Sequence, residues 1–298
     1  MPAVPASAYA HPGLPPAPHD LLTAWAWEPA ILLPLIVAGW LYARGVRALW
    51  RRAGPGRGIS RWRAWACGGG LLTLSVALVS PVDALGSALL VGHMLQHTML
   101  MLVAAPLLAL GRPHTSFLWA LRRPQRQRIG GWWRRRSVMP AGWQLLTHPV
   151  TAWTLHAGAI WLWHLPGPYQ AALSSEPLHA LEHASFLGTA VLFWWVLPGF
   201  SAHPRLNPAS GILYLFTFTL QGGILGALMT FTGAAWYPVY AATAPAWGLT
   251  PLEDQQLAGL LMWIPSGLVY VIAALAPMAR LLDAGNDSVA SLERGPAA

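Results

Sequence analysis

Lysine is missing from this 298-residue chain; all 18 basic residues are arginine. Charge of either sign is scarce, at 9% of residues against roughly 25% in a soluble protein. Together with 55% apolar residues and 18 tryptophans, that scarcity excludes an ordinary soluble domain and indicates a polytopic membrane protein. The single cysteine, Cys67, excludes a disulfide framework and a Cys-x-x-Cys metal motif. Any metal site must therefore use histidine, methionine or carboxylate. The first 24 residues, rich in Pro and Ala, contain no apolar h-region, so no signal peptide is recognised. Ala8-Tyr9-Ala10 before His11 resembles a cleavage site and is read as coincidence. Residues 1–24 are expected to be a disordered extracytoplasmic tail and 283–298 a disordered cytoplasmic one, flanking a transmembrane domain at 25–282.

Seven segments are long enough to span a bilayer, which takes about 20 mainly apolar residues. They are 25–43, 64–80, 89–111, 145–164, 178–197, 211–231 and 257–279. The expected fold class is all-α, a polytopic helical bundle of about seven transmembrane helices. Seven arginines fall between Arg44 and Arg63, eight between Arg112 and Arg136, and the last three are Arg205, Arg280 and Arg294. All lie on one side of a seven-span topology, so the positive-inside rule predicts an outside N-terminus and a cytoplasmic C-terminus. The net charge of +8 is thus explained by topology and membrane lipids, without nucleic acid.

The third segment carries His93 and His97, four residues apart and hence on one helix face, with Met101 one turn further along. The fourth ends at His164. The fifth opens with His179-Ala-Leu-Glu182-His183, a second pair of histidines at i, i+4. The seventh begins with Glu253-Asp254-Gln255-Gln256. Five histidines from three segments therefore reach one membrane level, near the outer face. Ionisable groups inside a span are costly and mark functional pathways. His156, unpaired in sequence, is read as a core residue, and Met94, Met99, Met229 and Met262 as packing. His114, His148 and His203 fall singly at the opposite level.

Imidazole suits zinc, copper, iron and nickel, and an added thioether shifts the preference toward Cu(I). Copper is the expected ion, held by His93, His97, His164, His179, His183 and Met101. Glu182 and Asp254 are expected to accept imidazole N–H groups and set ring orientation. The competing reading makes Glu182 a ligand in a di-metal centre.

Several stretches carry a recognisable combination. They are Ser80-Pro81-Val82-Asp83, His93-Met-Leu-Gln-His97 with Pro106 to Gly111, His148-Pro149, and Trp163-His164-Leu-Pro166 with Tyr169. His179-Ala-Leu-Glu-His183 with Phe193-Trp194-Trp195, Tyr237-Pro238-Val-Tyr240, and Asp254-Gln255-Gln256 with Met262-Trp263 complete it. Over about residues 80–275 the chain resembles the multi-span caa(3)-type cytochrome c oxidase assembly factor family labelled CtaG, distinct from the single-span copper chaperones sharing that label. The resemblance implies a non-enzymatic role in maturing a haem–copper oxidase in the bacterial plasma membrane, with oxidase subunits as partners. Copper would be delivered by ligand exchange. The rivals are a copper transport or resistance protein, and a haem or di-metal membrane oxidoreductase.

Overall fold

A computed structural model describes residues 16–135, 138–200 and 205–293, and every regular element among them is helical. The expectations placed on residues 1–15, His203 and 294–298 lie outside the described residues.

Prolines start most of the helices, because the missing N–H is unbonded in a first turn anyway. Helix α1 (Pro29–Ala53) closes at Gly54, whose φ of 95° is a left-handed-side conformation suited to glycine. Helix α2 (Arg61–Val79) follows, then α3 (Pro81–Ala88), entered through Ser80, whose hydroxyl accepts from Val82 N–H. Helix α4 (Leu90–Thr98) continues through a π-helical turn, Met99–Ala104, into α5 (Ala105–Gly111). In that wider turn Met101 C=O would be served by residue 106, a proline without an N–H; the Trp194 indole donates to it instead, at 3.0 Å. The chain goes on through α6 (Pro113–Ala120), α7 (Arg123–Arg135), α8 (Val138–Leu146), α9 (Pro149–His164), α10 (Pro166–Leu173), α11 (Glu176–Trp195), α12 (Pro208–Phe231) and α13 (Pro251–Glu293).

Among the described residues five helices are long and apolar enough to cross a membrane: α1, α2, the continuous Leu90–Gly111, α12 and α13 up to Asp283. The expected fourth segment is broken. His148 is extended (φ −69°, ψ 132°) because the residue before a proline is pushed out of the helical region, so α8 and α9 separate there. The 16 residues of α9 reach only about 24 Å. Helix α11 has 20 residues, with two glutamates and two histidines in its first half. Helix α13 continues to Glu293, beyond the domain end expected at 282.

The bundle packs α12 against α13, α13 against α4, α2 against α5, and α11 against both α9 and α5. Close approach is written into small residues. A Cβ on Gly259 would sit 2.7 Å from Gly226 O, and one on Gly92 2.8 Å from the Leu85 carbonyl, so these helix pairs meet backbone to backbone. Phe193, Trp194, Phe218 and Tyr270 form the aromatic centre of the main core.

Candidate metal centre

Three helices converge at the end of the bundle opposite the arginines. Helix α4 supplies His93 and His97, α11 supplies His179, Glu182 and His183, and α9 ends on His164. The i, i+4 spacing stacks each pair on one face, and the rings lie 4.3 Å apart for His93–His97 and 4.2 Å for His179–His183. Across the helices, His93 is 5.3 Å from His179 and His97 is 5.2 Å from His183, centroid to centroid. The Glu182 carboxylate reaches between them, 3.8 Å from His93 Nε2 and 3.7 Å from His97 Nε2. Two overlapping triads, His93/His97/His183 and His93/His179/Glu182, each offer donor atoms within 4.8 Å of one another.

His93, His97 and Glu182 are each 1% exposed. Yet His93 Nε2, both ring nitrogens of His97, His183 Nε2 and both Glu182 oxygens have no hydrogen-bond partner. A buried polar atom without a partner costs about 1–3 kcal/mol, and more where charge is involved. Such atoms gathered in triads fit a cation held by three of them at a time, and the imidazole-rich donor set matches copper or zinc chemistry.

The site is roofed by tyrosines. Tyr169 and Tyr240 share a 2.6 Å hydroxyl contact, Tyr237 OH donates to His164 O at 2.6 Å, and Tyr240 OH reaches Gly86 O at 3.1 Å. The Tyr169 ring stands edge-on to His93 at 5.2 Å. To one side a cavity of about 530 Å³ opens between α1, α2 and α11 onto His179 and His183, with Glu28, Asp83 and Glu176 on its walls.

Asp254 requires a correction. Its two oxygens accept Leu90 N–H at 2.7 Å and Val91 N–H at 2.9 Å, so it caps α4 in place of orienting an imidazole. Leu89, the N-cap residue, has no side chain able to do so, and a carboxylate there also meets the positive end of the helix dipole. Met101 lies in the π-helical turn and packs in the apolar core. The thioether beside an imidazole belongs to Met94, with Sδ 3.3 Å from His164 Nε2. His164 Nδ1 is engaged with Ile160 O at 2.6 Å, and its ring is 6.5 Å from His97. His164 therefore borders the cluster without joining either triad. His156 bonds Thr189 Oγ1 at 2.9 Å and stacks flat on Phe218, consistent with a core role. His114, at the arginine end, is held below the ordinary histidine range by burial and then by Arg112.

Met94, expected as packing, lies against an imidazole. Tyr169, Tyr237, Tyr240 and Asp83 stand in the stretches that carry the family resemblance, but nothing in their spacing assigns them to the site, and Glu28 and Glu176 have no signal in the sequence.

The family model described as cytochrome c oxidase caa3 assembly factor (Caa3_CtaG) matches residues 40–284. The chain belongs to that family. Its curated relatives include uncharacterised proteins of Mycobacterium bovis and Mycobacterium tuberculosis, each 29% identical over 269 residues. Another, from Mycobacterium leprae, is 30% identical over 280 residues. These alignments cover 88–89% of the chain but only 40% of each relative, so this family member spans about two-fifths of their length. No solved structure matches it. The matched region holds α4, α9 and α11 whole, and with them every residue of the histidine cluster.

Proposed function

We propose that this protein holds copper, as Cu(I), between α4 and α11 and passes it on during assembly of a haem–copper oxidase. The observation that carries the reading is the set of buried imidazole nitrogens on His93, His97 and His183 that make no hydrogen bond, with the Glu182 carboxylate among them. His179 completes the second triad, and His164 with Met94 stands at its edge as an exchange pair. Charge favours the monovalent ion. One carboxylate and neutral imidazoles around Cu(I) sum to zero, whereas a divalent ion would leave a net buried charge, which is expensive in a low-dielectric interior. The tyrosine roof closes one approach, so the cavity walled by Glu28, Asp83 and Glu176 serves as the cation's route in and out.

In this reading α9 and α11 complete a seven-span bundle in the bacterial plasma membrane, with the N-terminus outside and the cluster near the outer face. Oxidase subunits are the receiving partners, and transfer is ligand exchange without covalent catalysis. The sharing of His93 by both triads favours a second reading, a two-ion centre with Glu182 as bridging ligand.

The test is Cu(I) titration of the purified chain under reducing conditions, wild type beside His97→Ala and Glu182→Gln. One ion per chain, lost in His97→Ala and weakened about 10–100-fold in Glu182→Gln, is the expected result. Equal retention in all three proteins removes the copper site. Two ions falling to one or none in Glu182→Gln selects the two-ion centre.

A further inference from the structure

The arginine end of the bundle contains a second concave site. A cavity of about 410 Å³ is bounded by Arg44, Arg47 and Arg51 of α1, by Arg122 after α6, and by Trp40 and Trp119. The three α1 arginines are spaced i, i+3, i+7 and so share one helix face. Among the described residues no carboxylate pairs with any of these four arginines, and no acidic residue walls the cavity. Arg44 is held in place by its Nε–H bond to Ala120 O at 3.0 Å and by the Trp40 ring 5.3 Å away. Converging guanidinium groups with no counter-charge repel one another, and they form the fork geometry that suits phosphate oxygens.

The same face of α1 continues away from the arginines as Leu33, Ile36 and Trp40, which are 60%, 63% and 58% exposed. One stripe of the helix is therefore apolar for two turns and then cationic. That is the polarity profile of a phospholipid lying alongside it, acyl chain first and headgroup second. Free phosphate would use only the cationic part.

We propose that this cavity binds the phosphate headgroup of an anionic phospholipid, with an acyl chain along Leu33, Ile36 and Trp40. The site is independent of the metal reading, since it lies at the other end of the bundle and shares no residue with it.

The test uses the full chain, delipidated in detergent and then offered phosphatidylglycerol, phosphatidylcholine or inorganic phosphate, with retained lipid read by native mass spectrometry. Wild type should retain phosphatidylglycerol and not phosphatidylcholine. Because an arginine near a membrane contributes about a fivefold gain in affinity, Arg47→Gln/Arg51→Gln should weaken retention about 25-fold. Arg47→Lys/Arg51→Lys, which keeps the charge but not the guanidinium fork, should restore only part of it. The control pair Arg57→Gln/Arg61→Gln removes the same charge at the same end outside the cavity, and should leave retention within a factor of two or so. Equal loss in the control pair would show diffuse surface attraction and overturn the site. So would equal retention of phosphatidylcholine. Displacement of the lipid by an equimolar amount of inorganic phosphate would assign the cavity to free phosphate and overturn the lipid.

Discussion

At the arginine end of the bundle, Tyr42 OH donates to Gly111 O at 2.9 Å, Ser116 Oγ to Tyr42 O at 2.7 Å, and Arg63 to both Leu110 O and Gly199 O. The Leu110, Gly111 and Gly199 carbonyls are ones that a helix end or turn leaves open, and Ser116 adds a bond to a carbonyl within α1. At the histidine end, His93 Nε2, both His97 nitrogens and both Glu182 oxygens are buried without a hydrogen bond, the closest approach of carboxylate to imidazole being 3.7 Å. Polar groups of similar cost are thus spent on architecture at one end and held in reserve at the other. On the copper reading proposed above, the difference separates structural from functional polarity without reference to residue type, since arginine and histidine are both costly in a membrane.

That contrast predicts opposite responses to mutation. The largest effect is expected from His97→Leu. It should abolish Cu(I) binding by more than the roughly 100-fold typical of losing an outer partner, and also raise the melting temperature of the metal-free chain. Thermal melts with and without Cu(I) check both halves. A metal-free variant less stable than wild type would mean that His97 is structural after all, and the contrast would break.

Arg63→Met removes two charge-assisted bonds at the other end and should cost about 3 kcal/mol of stability while leaving copper binding unchanged. Denaturation of the detergent-solubilised protein, followed by copper titration, measures each. A parallel loss of copper would show the two ends to be coupled.

Asp254→Ala sharpens the comparison inside the histidine end itself. As the cap of α4, Asp254 should be worth about 1–2 kcal/mol of stability, with copper affinity falling less than the roughly tenfold of an imidazole-orienting partner. A larger loss of copper than of stability would return it to the role first expected from the sequence. Tyr42→Phe should give the smallest change, about 1 kcal/mol for one buried hydrogen bond, read from the same melts.

Helical class, membrane character and the two His-x-x-x-His pairs were legible in the chain, because period and composition are local properties. Hydropathy located the segments near 89–111, 211–231 and 257–279 well, where long apolar runs leave little choice. At 145–164 it placed the start too early, because His148-Pro149 breaks the run and the helix begins at Pro149, where a local backbone restriction outweighs average apolarity. The role of Asp254 was misread for a different reason. Its partners, Leu90 and Val91, are over 160 residues away, and nothing near residue 254 shows which helix end needs a cap.

The sequence alone determined which residues share a helical face, because 3.6 residues per turn puts His93 over His97 and His179 over His183 in any fold that keeps those helices. Only the tertiary structure decided that the two faces look at each other, and that Glu182 reaches both α4 histidines. It also put Met94 against the His164 imidazole and Met101 in the apolar core. Spacing along one helix is fixed by covalent geometry; distance between helices is set by packing, and between α3 and α4 and between α12 and α13 by glycines that let the backbones close.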